Sequence, residues 1–311
     1  MSAVNDTTFT HAAFLLTGIP GQEDYHVWIS IAFCLLYAIS IVGNSVILFI
    51  VIKDPSLHEP MYIFLSMLAL TDLGLSITTM PTILGIYLFN SKAITLDACL
   101  TQLFFIHTLQ CIESSILLLM AFDRFIAICI PLRYTSLLTL PRTLLMGLVC
   151  VLRGVASMFP LPLLLKRYRY CRANILSHSY CLHQAVMKMA CSDIQVNNIY
   201  GLFITLLTMG LDSLLILLSY VMILKTALSV VSLGKCLKPL NTCLPHICAV
   251  LLFYTAELSL AVIYRYVKGS SHLLAVLVGY VSLLIPPVMN PIIYSIKSKQ
   301  LRARITRVFV K

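Results

Sequence analysis

Charged residues are scarce in this chain. Asp, Glu, Lys and Arg make up only 11% of its 311 residues, whereas 59% are hydrophobic. A soluble domain carries about 25% charged residues, so this composition excludes an ordinary soluble protein. The mean hydropathy of +0.94 indicates an integral membrane protein instead.

Other features are also missing. The N-terminal stretch Met1–Phe14 has no Lys or Arg, and no cleavable signal peptide precedes the first apolar run, which we expect to act as an uncleaved signal-anchor. There is no repeat, low-complexity tract or linker, so the chain is predicted to form one domain over residues 1–311. It lacks the inverted repeat or paired broken helices of a transporter. It also lacks an HExxH-like partner for the Glu113-bearing helix, which argues against an intramembrane enzyme.

Seven stretches are long and apolar enough to cross a bilayer as helices, which takes about 20 residues each. We therefore predict an all-α membrane protein, a seven-helix bundle over residues 27–296 between an N-terminal tail (1–26) and a C-terminal tail (297–311). The predicted spans are Val27–Ile52, Met61–Phe89, Cys99–Cys129, Thr143–Leu165, Asn198–Leu224, Leu240–Tyr264 and His272–Ile296. In the C-terminal tail, Leu301, Ile305, Val308 and Phe309 recur at helical spacing among basic residues, which predicts a short amphipathic helix on the inner leaflet.

The distribution of Lys and Arg favours an extracellular N-terminus and a cytoplasmic C-terminus. The N-terminal tail has none, whereas the C-terminal tail carries six. The basic segment after the fourth span, from Lys166 to Lys188, argues the other way, but the first helix usually dominates orientation. The sequon at Asn5 agrees as a glycosylation site. The net charge of +10 lies in loops and tail rather than on one soluble face, so no nucleic-acid partner is expected.

The stretch Met120–Tyr134, MAFDRFIAICIPLRY, places Asp123 beside Arg124 at the mouth of a hydrophobic helix. A paired or snorkelling charge can be an interfacial anchor, but the whole stretch closely resembles the MAYDRYVAICxPLxY signature of odorant receptors, which are rhodopsin-like G-protein-coupled receptors. Further segments resemble the same family, and LHEPMYIFL and LSHSYCLHQ resemble its class I, fish-like subgroup. These segments are Gly43-Asn44, Leu57–Ser76, Ser179–Cys181, Lys238–Val250 and Pro286–Arg302.

The resemblance implies switch and G-protein-coupling roles for residues near the cytoplasmic side. They are Asp123, Arg124, Phe125, Tyr220, Asn290, Pro291 and Tyr294. The sequence departs from the family pattern at Phe125, where the family has Tyr, and at Ala256, where span six usually has a kinking Pro. Pro245, where Ser is usual, could displace the kink of that helix.

Four cysteines surround one predicted outer segment, and four cysteines allow three pairings. The resemblance implies the bonds Cys99–Cys181 and Cys171–Cys191. It also implies that Asp72 and Glu113 bracket a sodium ion. The alternative for these two acids is a protonated, hydrogen-bonded carboxyl, because two neighbouring anions disfavour each other's ionisation.

We expect the ligand site in the outer half of the bundle, between the third, fifth and sixth spans. Its predicted residues are His107, Gln110, Cys111, Tyr254, Glu257, Ala261 and Arg265. Arg265 matches the position from which class I receptors can clamp a carboxylate, although an Arg at a helix end often only snorkels. Glu257 puts an acid in the same site and Ala261 replaces a common hydroxyl, and both departures argue against a simple carboxylate ligand.

The function predicted from these features is an odorant receptor that binds a small, mainly apolar ligand, with a carboxylic acid as first choice. It would reside in the plasma membrane, contact membrane lipid, and raise cAMP through a stimulatory G protein. The alternatives are a seven-helix receptor for a non-odorant metabolite in another tissue, or a membrane transporter.

Overall fold

The computed structural model describes residues 13–19, 21, 25–170, 175–176, 178–230, 233–266 and 272–309, without the side chains of 230–241, 265, 266, 272, 308 and 309. Within these residues, seven helices are long and apolar enough to cross a membrane. We number them as spans 1 to 7. They are His26–Lys53, Pro60–Phe89, Leu96–Cys129, Leu140–Lys166, Gln195–Ser229, Thr242–Tyr264 and Leu273–Lys297.

Three of these spans contain local features. Span 4 consists of the helices Leu140–Met158 and Pro160–Lys166. Span 5 is interrupted by one wide π-helical turn, Leu206–Gly210, between the helices Gln195–Thr205 and Leu211–Val230. Span 6 belongs to a helix that continues from Leu233 to Tyr266, through both Pro245 and Ala256.

Short elements join the spans. They are helical turns at Pro55–Leu57 and Pro131–Arg133, and helices Tyr134–Leu137 and His183–Lys188. The C-terminal helix, Lys299–Phe309, confirms the predicted amphipathic segment. Its Leu301 is fully buried and Ile305 packs against the same core, so this helix is attached to the bundle.

The predicted all-α membrane fold is confirmed, and the structure adds a small three-stranded sheet that was not predicted. Strand β1 (Ala13–Leu16) pairs antiparallel with β2 (Ala93–Thr95) and parallel with β3 (Ile175–Leu176). Phe14 and Leu16 alternate with exposed residues and point into the core. An alternation of apolar and other residues over only four positions is too short to distinguish a strand from a loop in the sequence.

The buried apolar side chains form two clusters at opposite ends of the bundle. We call these ends the Cys99 end, which includes the sheet, and the Arg124 end, which includes the C-terminal helix. Between them, span 7 lies close to span 1: a Cβ at Gly43 would lie only 2.9 Å from Cβ of Pro291. Pro291 has no N–H for the carbonyl of Pro287, and the Asn44 amide donates to that carbonyl at 2.9 Å.

Candidate functional site

A cavity of about 70 Å³ lies inside the Cys99 end, enclosed by spans 3 to 6 and the segment around Cys181. Its walls are mostly apolar, with a few polar groups. The polar side chains that line it are His107, Gln110, Tyr180, His183, Gln184, Thr205, Thr208 and Glu257. An apolar enclosure with a few convergent polar groups is typical of a small-molecule site.

Glu257 of span 6 is the acidic group of this cavity. Its Oε1 accepts a hydrogen bond of 2.6 Å from Nε2 of Gln110, and a second from the hydroxyl of Ser282. Spans 3, 6 and 7 therefore meet at one carboxylate oxygen. Ser282 was not among the predicted site residues, because nothing in the sequence places a serine of span 7 beside Glu257.

The segment that follows Cys181 forms another wall of the cavity. The rings of His107 and His183 meet edge to face, with their centroids 6.4 Å apart. Nε2 of His183 is 2.9 Å from Oδ1 of Asn197, which anchors this segment to the start of span 5.

The predicted Cys99–Cys181 disulfide is confirmed, with Cα atoms 5.4 Å apart. Gln102 supports the same segment, because its Oε1 accepts from the backbone N–H of Cys181 at 3.0 Å. Cys191 is also disulfide-bonded, whereas Cys171 and Asn5 lie outside the described residues.

The structure brings together four of the seven predicted ligand residues: His107, Gln110, Glu257 and Ala261. The predicted ligand role of Cys111 and Tyr254 stays a prediction. Both are buried, and neither is among the described residues that line the cavity. Arg265 lies on the described helix, but its side chain lies outside the described part.

Tyr254 instead belongs to a polar network one turn deeper, which we call the Arg153 network. Its hydroxyl is 2.8 Å from that of Ser114, which donates to Oδ2 of Asp212 at 2.9 Å. Arg153 donates to both oxygens of Asp212, at 2.9 and 2.8 Å, and to Ser115 at 2.8 Å.

The Arg153 network connects spans 3, 4, 5 and 6 directly beneath the cavity. Nη2 of Arg153 also donates to the carbonyl of Leu207, at 3.1 Å, within the π-helical turn of span 5. The charges of Arg153 and Asp212 were visible in the sequence, but their pairing was not. Because a buried charge in a membrane needs a partner, two opposite lone charges on neighbouring spans were the available signal.

A second polar group connects spans 2, 3 and 7. The amide nitrogen of Asn290 lies 3.1 Å from Oδ2 of Asp72 and 3.4 Å from Oε1 of Glu113. The predicted acids do lie near each other, but an N–H donor lies between them rather than a set of oxygens. No cluster of three or more potential metal-ligating side chains occurs in the described ranges. The sodium ion stays a prediction.

At the Arg124 end, Arg124 is paired with its neighbour. Its Nε lies 2.9 Å from Oδ2 of Asp123, and the hydroxyl of Tyr134 donates to Oδ1 of Asp123 at 2.8 Å. Burial, and then the carboxylate of Asp123, raise the pKa of Tyr134, so it remains a donor. The pair is accessible on one side only: Asp123 is fully buried, while the Arg124 side chain is 18% exposed.

The other predicted switch residues lie behind this pair. Tyr220 hydrogen-bonds Nδ1 of His246, which joins spans 5 and 6. Tyr294 is buried, and its hydroxyl has no hydrogen-bond partner within the described part of the chain. Phe125 is half-buried. The structure shows where each of these side chains lies, and their roles in switching and G-protein coupling stay predictions.

The family profile described as olfactory receptor matches residues 33–311, which is most of the chain. The chain belongs to the olfactory receptor family. Human olfactory receptor 51G2 is 57% identical over 98% of this chain and 97% of its own length. Mouse olfactory receptor 51E2 is 50% identical over 99% of this chain and 96% of its own length. This receptor is therefore a class I olfactory G-protein-coupled receptor and not an enzyme.

The fold agrees with this assignment. Squid rhodopsin superposes on the receptor with a TM-score of 0.75, over 94% of this chain and 87% of that one. At 16% identity this likeness concerns the fold alone. The receptor is a multi-pass membrane protein that shares the rhodopsin architecture.

Proposed function

We propose that the receptor detects a small, mainly apolar odorant in the cavity at the Cys99 end and raises cAMP through a stimulatory, olfactory-type G protein. The observation that carries the proposal is the cavity itself, which has apolar walls, a cluster of polar groups and a segment tied across it by the Cys99–Cys181 bond. The partners are thus a small molecule, the G protein and membrane lipid.

The proposed orientation places the Cys99 end outside the cell and the Arg124 end in the cytoplasm of a plasma-membrane receptor. The basic residues support it. At the Arg124 end, Lys53 and Lys297 are the last residues of spans 1 and 7, Arg133 follows span 3, and Arg302 belongs to the C-terminal helix. At the Cys99 end, Lys166 is neutralised by Asp97, with 2.9 Å between Nζ and Oδ1. The rest of the basic segment from Lys166 to Lys188 argues the other way, and the proposal follows the first helix, which usually dominates orientation.

A cAMP assay in transfected cells tests the coupling. An odorant panel should produce ligand-dependent cAMP in the natural receptor. Arg124→Ala should abolish that response while surface staining is unchanged, because Arg124 is the partly exposed cation that the G protein would contact. Arg302→Ala, an exposed cation on the C-terminal helix, is the control and should keep the response. Ligand-independent ion flux, or intact signalling by Arg124→Ala, would contradict the proposal.

The head group of the ligand is tested by two substitutions with opposite outcomes. For a carboxylic acid, Arg265→Ala should remove the response and Glu257→Gln should keep or strengthen it, because an ionised Glu257 would repel an acid. Loss of binding in Glu257→Gln with a normal Arg265→Ala variant would show that the ligand is an amine or another hydrogen-bond donor. Dose–response curves for matched acids, alcohols and amines provide the measurement.

A further inference from the structure

A second cavity, of about 260 Å³, lies at the Arg124 end, outside the helix bundle's central site. It is formed where the end of span 1 meets the C-terminal helix, and we call it the span 1 cavity. Its lining residues are Phe49, Ile50, Lys53, Asp54, Arg304 and Arg307. It shares no residue with the odorant cavity or with the Asp123–Arg124 pair.

The C-terminal helix places two cations in this cavity. Because Leu301 and Ile305 attach its apolar side to the core, the position of the helix is fixed. Arg304 and Arg307 are three residues apart and so lie on neighbouring turns of one side. Arg304 is further held by Oδ2 of Asp54, 2.9 Å from its Nε, and by the hydroxyl of Ser56, 3.1 Å from its Nη2.

The charges of this cavity do not balance. Hydrogen bonds from Ser56, and then the nearby Arg304 and Arg307, lower the pKa of Asp54, which is therefore ionised at neutral pH. This single carboxylate faces three cations, Lys53, Arg304 and Arg307, so the lining has an excess of two positive charges. Since Asp54 is already bonded to Arg304, the excess lies at Lys53 and Arg307.

The span 1 side of the cavity carries an exposed aromatic ring beside one of the cations. Phe49 is 47% exposed on the outer side of span 1, and Nζ of Lys53 lies 4.5 Å from the centroid of its ring. A soluble phosphate has no apolar group that could pack against this exposed ring. A lipid does, because its acyl chains lie beside its phosphate. Guanidinium and ammonium groups at the end of a span are suited to such a headgroup.

We propose that the span 1 cavity binds the phosphorylated headgroup of an anionic phospholipid of the adjacent leaflet. Arg307 and Lys53 contact the phosphate, Arg304 is held by Asp54 as the rim of the site, and Phe49 contacts the glycerol and acyl region. In the proposed orientation this leaflet is the cytoplasmic one, which carries the anionic lipids.

The test uses the full-length receptor in detergent micelles, titrated with fluorescent phosphatidylinositol bisphosphate at about 0.15 M salt. Arg307→Gln and Lys53→Gln should each weaken binding about fivefold, as expected for the loss of one cation near a phosphate. Arg302→Gln is the matched control, because it removes the same charge from the same helix at an exposed position outside the cavity. It should leave binding nearly unchanged, and thermal unfolding of each variant checks its fold.

Two outcomes would overturn the proposal. If Arg302→Gln and Arg307→Gln weaken lipid binding equally, the binding reflects the overall charge of the helix rather than a specific site. Displacement of the lipid by inorganic phosphate at equal concentration would mean a soluble anion site. Binding is measured without odorant or G protein, so its failure is distinguishable from a failure of the proposed receptor function.

Discussion

Replacement of Asp212 by Asn is expected to destabilise the receptor strongly. The side chain of Asp212 is only 2% exposed, and both of its oxygens accept from Nη1 of Arg153. Asn preserves the size of the side chain and can still accept from Ser114, but it removes the negative charge. The guanidinium of Arg153 is then left in the membrane interior without a counter-ion.

The magnitude follows from the burial of the pair. Removing one partner of a buried ion pair costs about 3–5 kcal/mol. Because the side chain of Arg153 is 28% exposed, it can turn partly toward a more polar environment. We therefore expect the lower end of the range, about 3 kcal/mol or roughly a 150-fold change in the unfolding equilibrium.

The assay is thermal or denaturant unfolding of the purified receptor, with Asp97→Asn as the matched control. Asp97 has the same type of ion pair, with Lys166, but both side chains are more than half exposed, so little stability should be lost. The double variant Arg153→Met with Asp212→Leu should recover most of the loss, since it removes both buried charges. If Asp212→Asn unfolds like Asp97→Asn, the pair does not stabilise the bundle and the reasoning is refuted.

Two further substitutions test packing and switching. Gly154→Ala should destabilise the receptor by about 1–3 kcal/mol, because the new Cβ would lie 2.8 Å from Cγ1 of Ile112. Gly85→Ala, whose nearest atom is a backbone oxygen at 4.0 Å, is the control in the same unfolding assay. Phe125→Tyr should enlarge the cAMP response if the natural Phe weakens the switch, and an unchanged maximum at equal surface level would disprove that role.

The sequence by itself determined the membrane architecture. Each span is a continuous apolar run, and in a bilayer such a run must form a helix to satisfy its own backbone hydrogen bonds. The predicted bounds therefore lie close to the structural ones, as for Met61–Phe89 against Pro60–Phe89. The short motifs added the family and, through it, the Cys99–Cys181 pairing.

The tertiary structure decided which side chains meet. On a helix each residue is rotated by about 100° from the last, so a small rotation of a span moves a side chain out of a cavity. The depth of a residue matters as well: Tyr254 lies almost one turn below Glu257 on the same side of span 6, so it joins the Arg153 network while Glu257 lines the ligand cavity.

The pairing of distant groups was equally beyond the sequence. Arg153 and Asp212 are 59 positions apart, Gln110 and Glu257 are 147 apart, and the sheet joins three separate segments. Local hydrophobicity and propensity carry no information on such pairs, because their energies depend on how the seven helices pack together. The span 1 cavity likewise exists only because the C-terminal helix packs back against the first span.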